Sequence, residues 1–129
     1  MIYGTGVDIV AVSRLETFYA RHGEIGMDRI LSSAEQTDFL RVGKEQRGRF
    51  LARRWAAKEA FGKALGTGMR PPAAFAAIGV DHDPLGKPHF VFSPDLQARL
   101  EELGLSAHLS ISDETRYAIA FVLLERQDT

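Results

Sequence analysis

Arg53 to Gly68, "RRWAAKEAFGKALGTG", decides how the rest of the chain is read. Its alanines and leucines are strong helix formers, and apolar residues cover most of the helical circumference instead of one stripe. A helix of that kind is a buried one. Extended back to about Lys44 and forward to Leu65, then stopped by "GTG" and Pro71-Pro72, it predicts one long central helix. Yet it carries Lys58, Glu59 and Lys63. At about 100° per residue, Ala52, Ala56, Glu59 and Lys63 share one sector, and Phe50, Phe61 and Leu65 another. The alanines leave room for something to approach closely beside two charges. One account is an exposed Glu–Lys pair four residues apart, worth ~0.2–0.5 kcal/mol. The other is a carboxylate held in a mostly apolar setting by a cation or a donor.

Outward from this helix the signals are mixed. "MIYGTGVDIVAV" reads as a strand with Ile2, Gly4, Gly6, Asp8 and Val10 on one face and Tyr3, Thr5, Val7 and Ile9 on the other. Ser13 and Glu16 have the spacing of a capping box, predicting a helix over Arg14 to His22 that Gly23 ends. Ser32 and Glu35 repeat the signal ahead of a second, short helix. "AAIGVDHD", the turn "PLGKP" and "HFVF" predict a hairpin. Ser93 with Pro94 opens a helix that Gly104 closes. "AHLSIS", "DETR" and "YAIAFVLLE" form a last hairpin whose second strand is apolar on both faces. The fold class is therefore α+β: a small antiparallel sheet packed against the long helix.

A chain of 129 residues is expected to be a single domain over 1–129. The absence of cysteine excludes a disulfide framework and a thiolate metal site, and fits a reducing cytosol. The start has no basic region ahead of an apolar run, and no stretch of ~20 apolar residues could span a bilayer. A net charge of −1 does not suit nucleic-acid binding. The charge is uneven, however: 12 of the 16 Lys and Arg fall between Arg14 and Arg70, against 7 acidic residues. A basic half facing an acidic partner or a mixed solvated surface both account for that.

Asp8 interrupts the apolar tail of the first strand, on the face that carries Gly4 and Gly6. Glycine in a strand often marks the close approach of a ligand or another backbone. Asp8 is then either an edge or turn residue or, with Glu59, half of a carboxylate pair suited to Mg²⁺. "GTGVD" lacks the lysine of a Walker loop. His108, Ser110 and Ser112 alternate on one face of their strand, which either lines a pocket or meets solvent. No nucleophile elbow and no zinc-site spacing of histidines occurs.

"GTGVDIVAVSRL", "FLARRWAAKEAFGKALGTG", "GKP" and "AHLSISDE" together resemble the holo-acyl-carrier-protein synthases, the small bacterial phosphopantetheinyl transferases. The resemblance covers nearly the whole chain in order, and W-x-x-K-E-A-x-x-K is its most specific part. It implies the 4'-phosphopantetheinyl transferase fold. The implied activity moves 4'-phosphopantetheine from coenzyme A to a serine of apo acyl carrier protein, releases adenosine 3',5'-bisphosphate and supports fatty acid biosynthesis in the cytoplasm. By position Asp8 and Glu59 are then the Mg²⁺ ligands, and Lys63 lies near the pyrophosphate. Arg54, Gly66, Gly86, Lys87, Pro88 and His108 fall where the family contacts the adenylate part of coenzyme A. The base is left open between Glu59 and a water on the metal, with Glu35 a further candidate for holding that water. Asp113 stands where some relatives have a second histidine and is given no role. A homotrimer with sites between subunits is implied as well.

The carrier itself is strongly acidic. Arg14, Phe18 and Arg21, at spacings of four and three, share one face of the predicted Ser13-capped helix and are the expected docking residues. The alternative function is a non-catalytic Mg²⁺- or nucleotide-binding module, or a domain that only binds an acidic protein. Loss of Asp8, Glu59 or Lys63 would favour it, and all three are present.

Overall fold

The computed structural model describes residues 1–127. In chain order the elements are β1 (Ile2–Ala11), α1 (Val12–Ile30), α2 (Ser33–Arg41), α3 (Arg47–Leu65), β2 (Ile78–His82), β3 (Pro88–Phe92), α4 (Pro94–Leu103), β4 (Leu105–Asp113) and β5 (Tyr117–Arg126). The strands make two antiparallel sheets instead of one. The larger has the order β1-β5-β4, and β2 pairs with β3 as a separate hairpin.

The long helix lies across the larger sheet, and the main core forms between them. Leu51, Ala52, Ala56, Ala57, Ala60 and Phe61 of α3 are fully buried, as are Ala118, Val122 and Leu124 of β5. Contact with β1 is closest. A Cβ on Gly6 would collide with the Ala60 carbonyl, and one on Gly4 with the Ala64 carbonyl. Strand and helix therefore meet main chain to main chain, which only glycine permits. The helix stops at Gly66, whose φ of 90° closes a left-handed cap.

Three local expectations need correction. The Ser13–Glu16 capping box does not form: Ala11 is the N-cap and makes no side-chain cap bond. β1 runs straight into the helix, and the Val12 N–H is taken by the Arg116 carbonyl at 2.8 Å. Gly23 (φ 59°, ψ −147°) bends α1 without ending it, and the helix resumes to bury Met27 and Ile30. The long helix begins at Arg47, because Lys44–Gln46 is a separate 3-10 turn. The second capping box is present in full, with Ser32 Oγ accepting from Glu35 N–H and Glu35 accepting from Ser32 N–H.

β5 alternates strictly, and its outward side chains stay apolar. Ile9 is 62% exposed and Phe121 45%, and Val7 and Ile119 lie exposed beside them. The register pairs Val7 with Phe121 and Ile9 with Ile119, so these four form one continuous patch on the sheet face away from α3.

Candidate active site

Strand alternation and helical spacing bring Asp8, Glu59 and Lys63 to one place. Asp8 shares the inward face of β1 with Gly4 and Gly6, and the close glycine contact sets that strand against the last two turns of α3. Lys63 Nζ donates to the Val7 carbonyl at 2.9 Å and to Asp8 Oδ1 at 3.2 Å. Its side chain is 55% exposed, while Asp8 is only 16% exposed. Glu59 is half-buried. Burial first, then the Asp8 charge, push its carboxyl above the usual carboxylate range, with Lys63 and Arg14 pulling the other way.

Two carboxylates that repel one another beside a solvent-reaching ammonium are a poor arrangement for an empty surface and a good one for a divalent cation with a polyanion. The oxygen set fits Mg²⁺, which uses one or two carboxylates and fills its octahedron with water and phosphate oxygens. Among the described residues no group of three or more His, Cys, Asp or Glu could hold a metal. A site on Asp8 and Glu59 would draw two carboxylates from one chain.

Other expected residues lie elsewhere. Arg54, five positions before Glu59 and about 140° round the helix, points away from Asp8. It is 5% exposed, with its guanidinium carbon 3.8 Å from the Phe50 ring centroid and Nε 3.6 Å from Glu35 Oε2. That Nε is buried without a hydrogen bond, and its charge is met by the Glu35 carboxylate. Gly66 is exposed at the end of α3. Gly86, Lys87 and Pro88 sit at the tip of the β2–β3 hairpin, where Asp83 Oδ1 accepts from Leu85 N–H and Lys87 N–H. His108 is on the outer sheet face, opposite to Asp8, and meets Glu125 at 3.1 Å. A single chain does not bring His108 to the Asp8–Glu59–Lys63 group.

Arg14, Phe18 and Arg21 do come together. With Leu15, His22 and Trp55 they line a cleft of about 280 Å³ between α1 and α3, and the Arg14 guanidinium carbon lies 5.3 Å from the Trp55 ring centroid. The face was legible from α1 spacing; Trp55, contributed by the other helix, was not.

Two polar clusters went unread in the sequence. Glu35 is 1% exposed and bonded to Lys58 Nζ at 2.6 Å and to the Ser32 and Val80 N–H groups. A carboxylate so enclosed does not hold a catalytic water, which removes it as a candidate. The missed signal was Lys58 itself, spaced three and seven residues from Phe61, Leu65 and Leu51 in the apolar sector. Asp113 accepts from Arg49 (2.8 Å) and Arg53 (3.3 Å), tying the end of β4 to the start of α3.

The 4'-phosphopantetheinyl transferase superfamily matches residues 4–122. A holo-[acyl-carrier-protein] synthase of Dechloromonas aromatica is 54% identical over 125 residues, covering 97% of this chain and 98% of that one. The crystal structure of the Neisseria meningitidis holo-[acyl-carrier-protein] synthase superimposes with a TM-score of 0.92 at 46% identity, covering 98% of this chain and all of the other. A Bacillus anthracis holo-(acyl-carrier-protein) synthase, solved in complex with CoA (3',5'-ADP), gives 0.84 at 35% identity, covering 98% and 99%. Sequence and fold agree: the chain belongs to the 4'-phosphopantetheinyl transferase superfamily, among its holo-[acyl-carrier-protein] synthases.

Proposed function

We propose that this transferase moves 4'-phosphopantetheine from coenzyme A to a serine of apo acyl carrier protein, with Mg²⁺, releasing adenosine 3',5'-bisphosphate. The observation that carries the reading is the meeting of Asp8, Glu59 and Lys63. Such a transfer asks mainly for positioning and charge neutralisation. Asp8 and Glu59 would hold the metal, which would offset charge on the pyrophosphate. Lys63, free to turn outward, stabilises the leaving phosphate. The serine proton goes to Glu59 or to a water on the metal. Arg54, Gly66, Gly86, Lys87 and Pro88 bind the nucleotide part, as the resemblance to the family implies.

The acidic carrier docks in the Arg14–Phe18–Arg21 cleft, with arginines for its charge and Phe18 and Trp55 for an apolar side chain. The exposed Val7, Ile9, Ile119 and Phe121 patch supports assembly, because an apolar sheet face of this kind calls for cover, and the resemblance to the family implies three copies. Assembly also gives His108 a use, since a residue facing away from its own Asp8 is available to a neighbouring chain's site. The product serves fatty acid synthesis in the cytoplasm; no helix among the described residues is long and apolar enough to cross a membrane.

The test is incubation with coenzyme A, Mg²⁺ and apo carrier protein, read by intact-protein mass spectrometry. Addition of one phosphopantetheine to the carrier is expected, and omission of Mg²⁺ abolishes it. No added mass on any apo carrier tried would return the chain to the binding-module reading.

A further inference from the structure

Trp55 is the contribution of α3 to the Arg14 cleft; the other lining residues come from α1. Phe75 stacks on it, with ring centroids 4.7 Å apart and planes within 21°. Phe75 belongs to the segment between α3 and β2, where the 3-10 turn Phe75–Ala77 is the one regular piece. Lys58 fixes that turn. Its Nζ donates to the Phe75 carbonyl at 3.0 Å, to the Ile30 carbonyl at the end of α1, and to Glu35 Oε1 at 2.6 Å. Glu35 is in turn held by the Ser32 and Val80 N–H groups.

An ammonium has three donors, and here two of them go to main-chain carbonyls, of Ile30 at the end of α1 and of Phe75, whose ring stacks on Trp55. Lys58 is 0% exposed. Burying an ion pair so completely is a weak route to stability, because apolar residues of similar volume often do as well or better. Fixing main-chain positions is what this pair does that an apolar pair does not.

We propose that Lys58 is a positioning residue for carrier recognition: anchored on Glu35, it holds the Phe75 main chain so that the Phe75 ring backs Trp55 and sets one wall of the Arg14–Phe18–Arg21 cleft. The inference rests on that cleft being the carrier's docking site.

Trp55 is the only tryptophan in the chain, so its fluorescence reports on this wall directly. Lys58→Met keeps the apolar stem and removes the donors. The expected variant unfolds cooperatively, and its tryptophan emission is shifted to the red and more open to acrylamide quenching. Its carrier KM rises about fivefold or more, while coenzyme A KM and kcat stay within about twofold. A lysine that merely supports the fold would lower the melting temperature and the active fraction but move neither KM nor native emission; that pattern overturns the proposal. Should Lys58→Met fail to fold, Phe75→Ala decides, since it removes the stacked ring and keeps the carbonyl that Lys58 holds. It must raise carrier KM with coenzyme A KM unchanged, and an unaltered carrier KM overturns the proposal. Arg14→Glu separates the two readings. If it leaves carrier KM alone, the docking assignment is wrong; if it raises carrier KM while Lys58→Met or Phe75→Ala does not, only the positioning role fails.

Discussion

Glu59 is destabilising to the folded chain when ionised, and that has a measurable sign. Its carboxyl is held above the ordinary value of 4.5 by burial and by Asp8. The native state therefore binds this proton more tightly than the unfolded chain does. The group's stabilising contribution is full below the unfolded value and is lost as pH rises through the folded one. Glu59→Gln in metal-free enzyme should melt at or above the wild-type temperature at neutral pH, with the gain vanishing on acidification, as thermal scans across pH will read. The same substitution should lower turnover about a hundredfold or more. A variant that is more stable and inactive marks a site residue. Lys63→Ala should cut kcat about tenfold or more with a smaller change in coenzyme A KM, since an ammonium on a leaving group matters most as charge develops. Weak binding with intact turnover would make Lys63 an anchor instead. These three residues were legible because each rests on local periodicity, strand alternation for Asp8 and helical spacing for the others. The Lys58–Glu35 pair was not, because its 23-residue separation closes only when α2 packs on α3.

Among the elements, α3 was readable in its body and at its glycine stop, but its start was placed one turn early, over the 3-10 turn Lys44–Gln46. The failure at Ser13 has a tertiary cause: β1 leads into the helix already at Val12, whose N–H the Arg116 carbonyl takes, so Ser13 lies inside the first turn and not at the N-cap. Gly23 was read as the helix end; its φ of 59° bends the chain there, but the helix resumes and buries Met27 and Ile30. The β1–α3 contact makes a sharp prediction. Gly6→Ala should destabilise by about 1–3 kcal/mol in urea titration, because a methyl group there meets main chain that has no room to move. For α1, Arg14→Glu should raise carrier KM at low salt and flatten the loss of carrier affinity with ionic strength, a screened attraction having been removed.

At the scale of the molecule, the outer sheet face is the largest feature that one chain leaves unexplained. "YAIAFVLLE" showed in sequence that both faces of β5 are apolar, yet nothing in its pattern says what covers the outer one. Phe121→Asp should leave circular dichroism unchanged, since the ring is already half in solvent within one chain. Sedimentation should then report a single-chain mass, and turnover should fall as His108 is withdrawn from the neighbouring site. An assembled variant would reject this face as the interface, and a single-chain variant with full turnover would reject the shared site. The glycine contact has a different reach. Ligand-binding parts of a protein are usually drawn from its least stable regions, but here Asp8 and Lys63 are borne by a strand and a helix locked main chain to main chain. Amide hydrogens of β1 and of the α3 turns beneath it should therefore exchange with deuterium only when the whole chain opens, so that the candidate site is among the last regions to lose its protection.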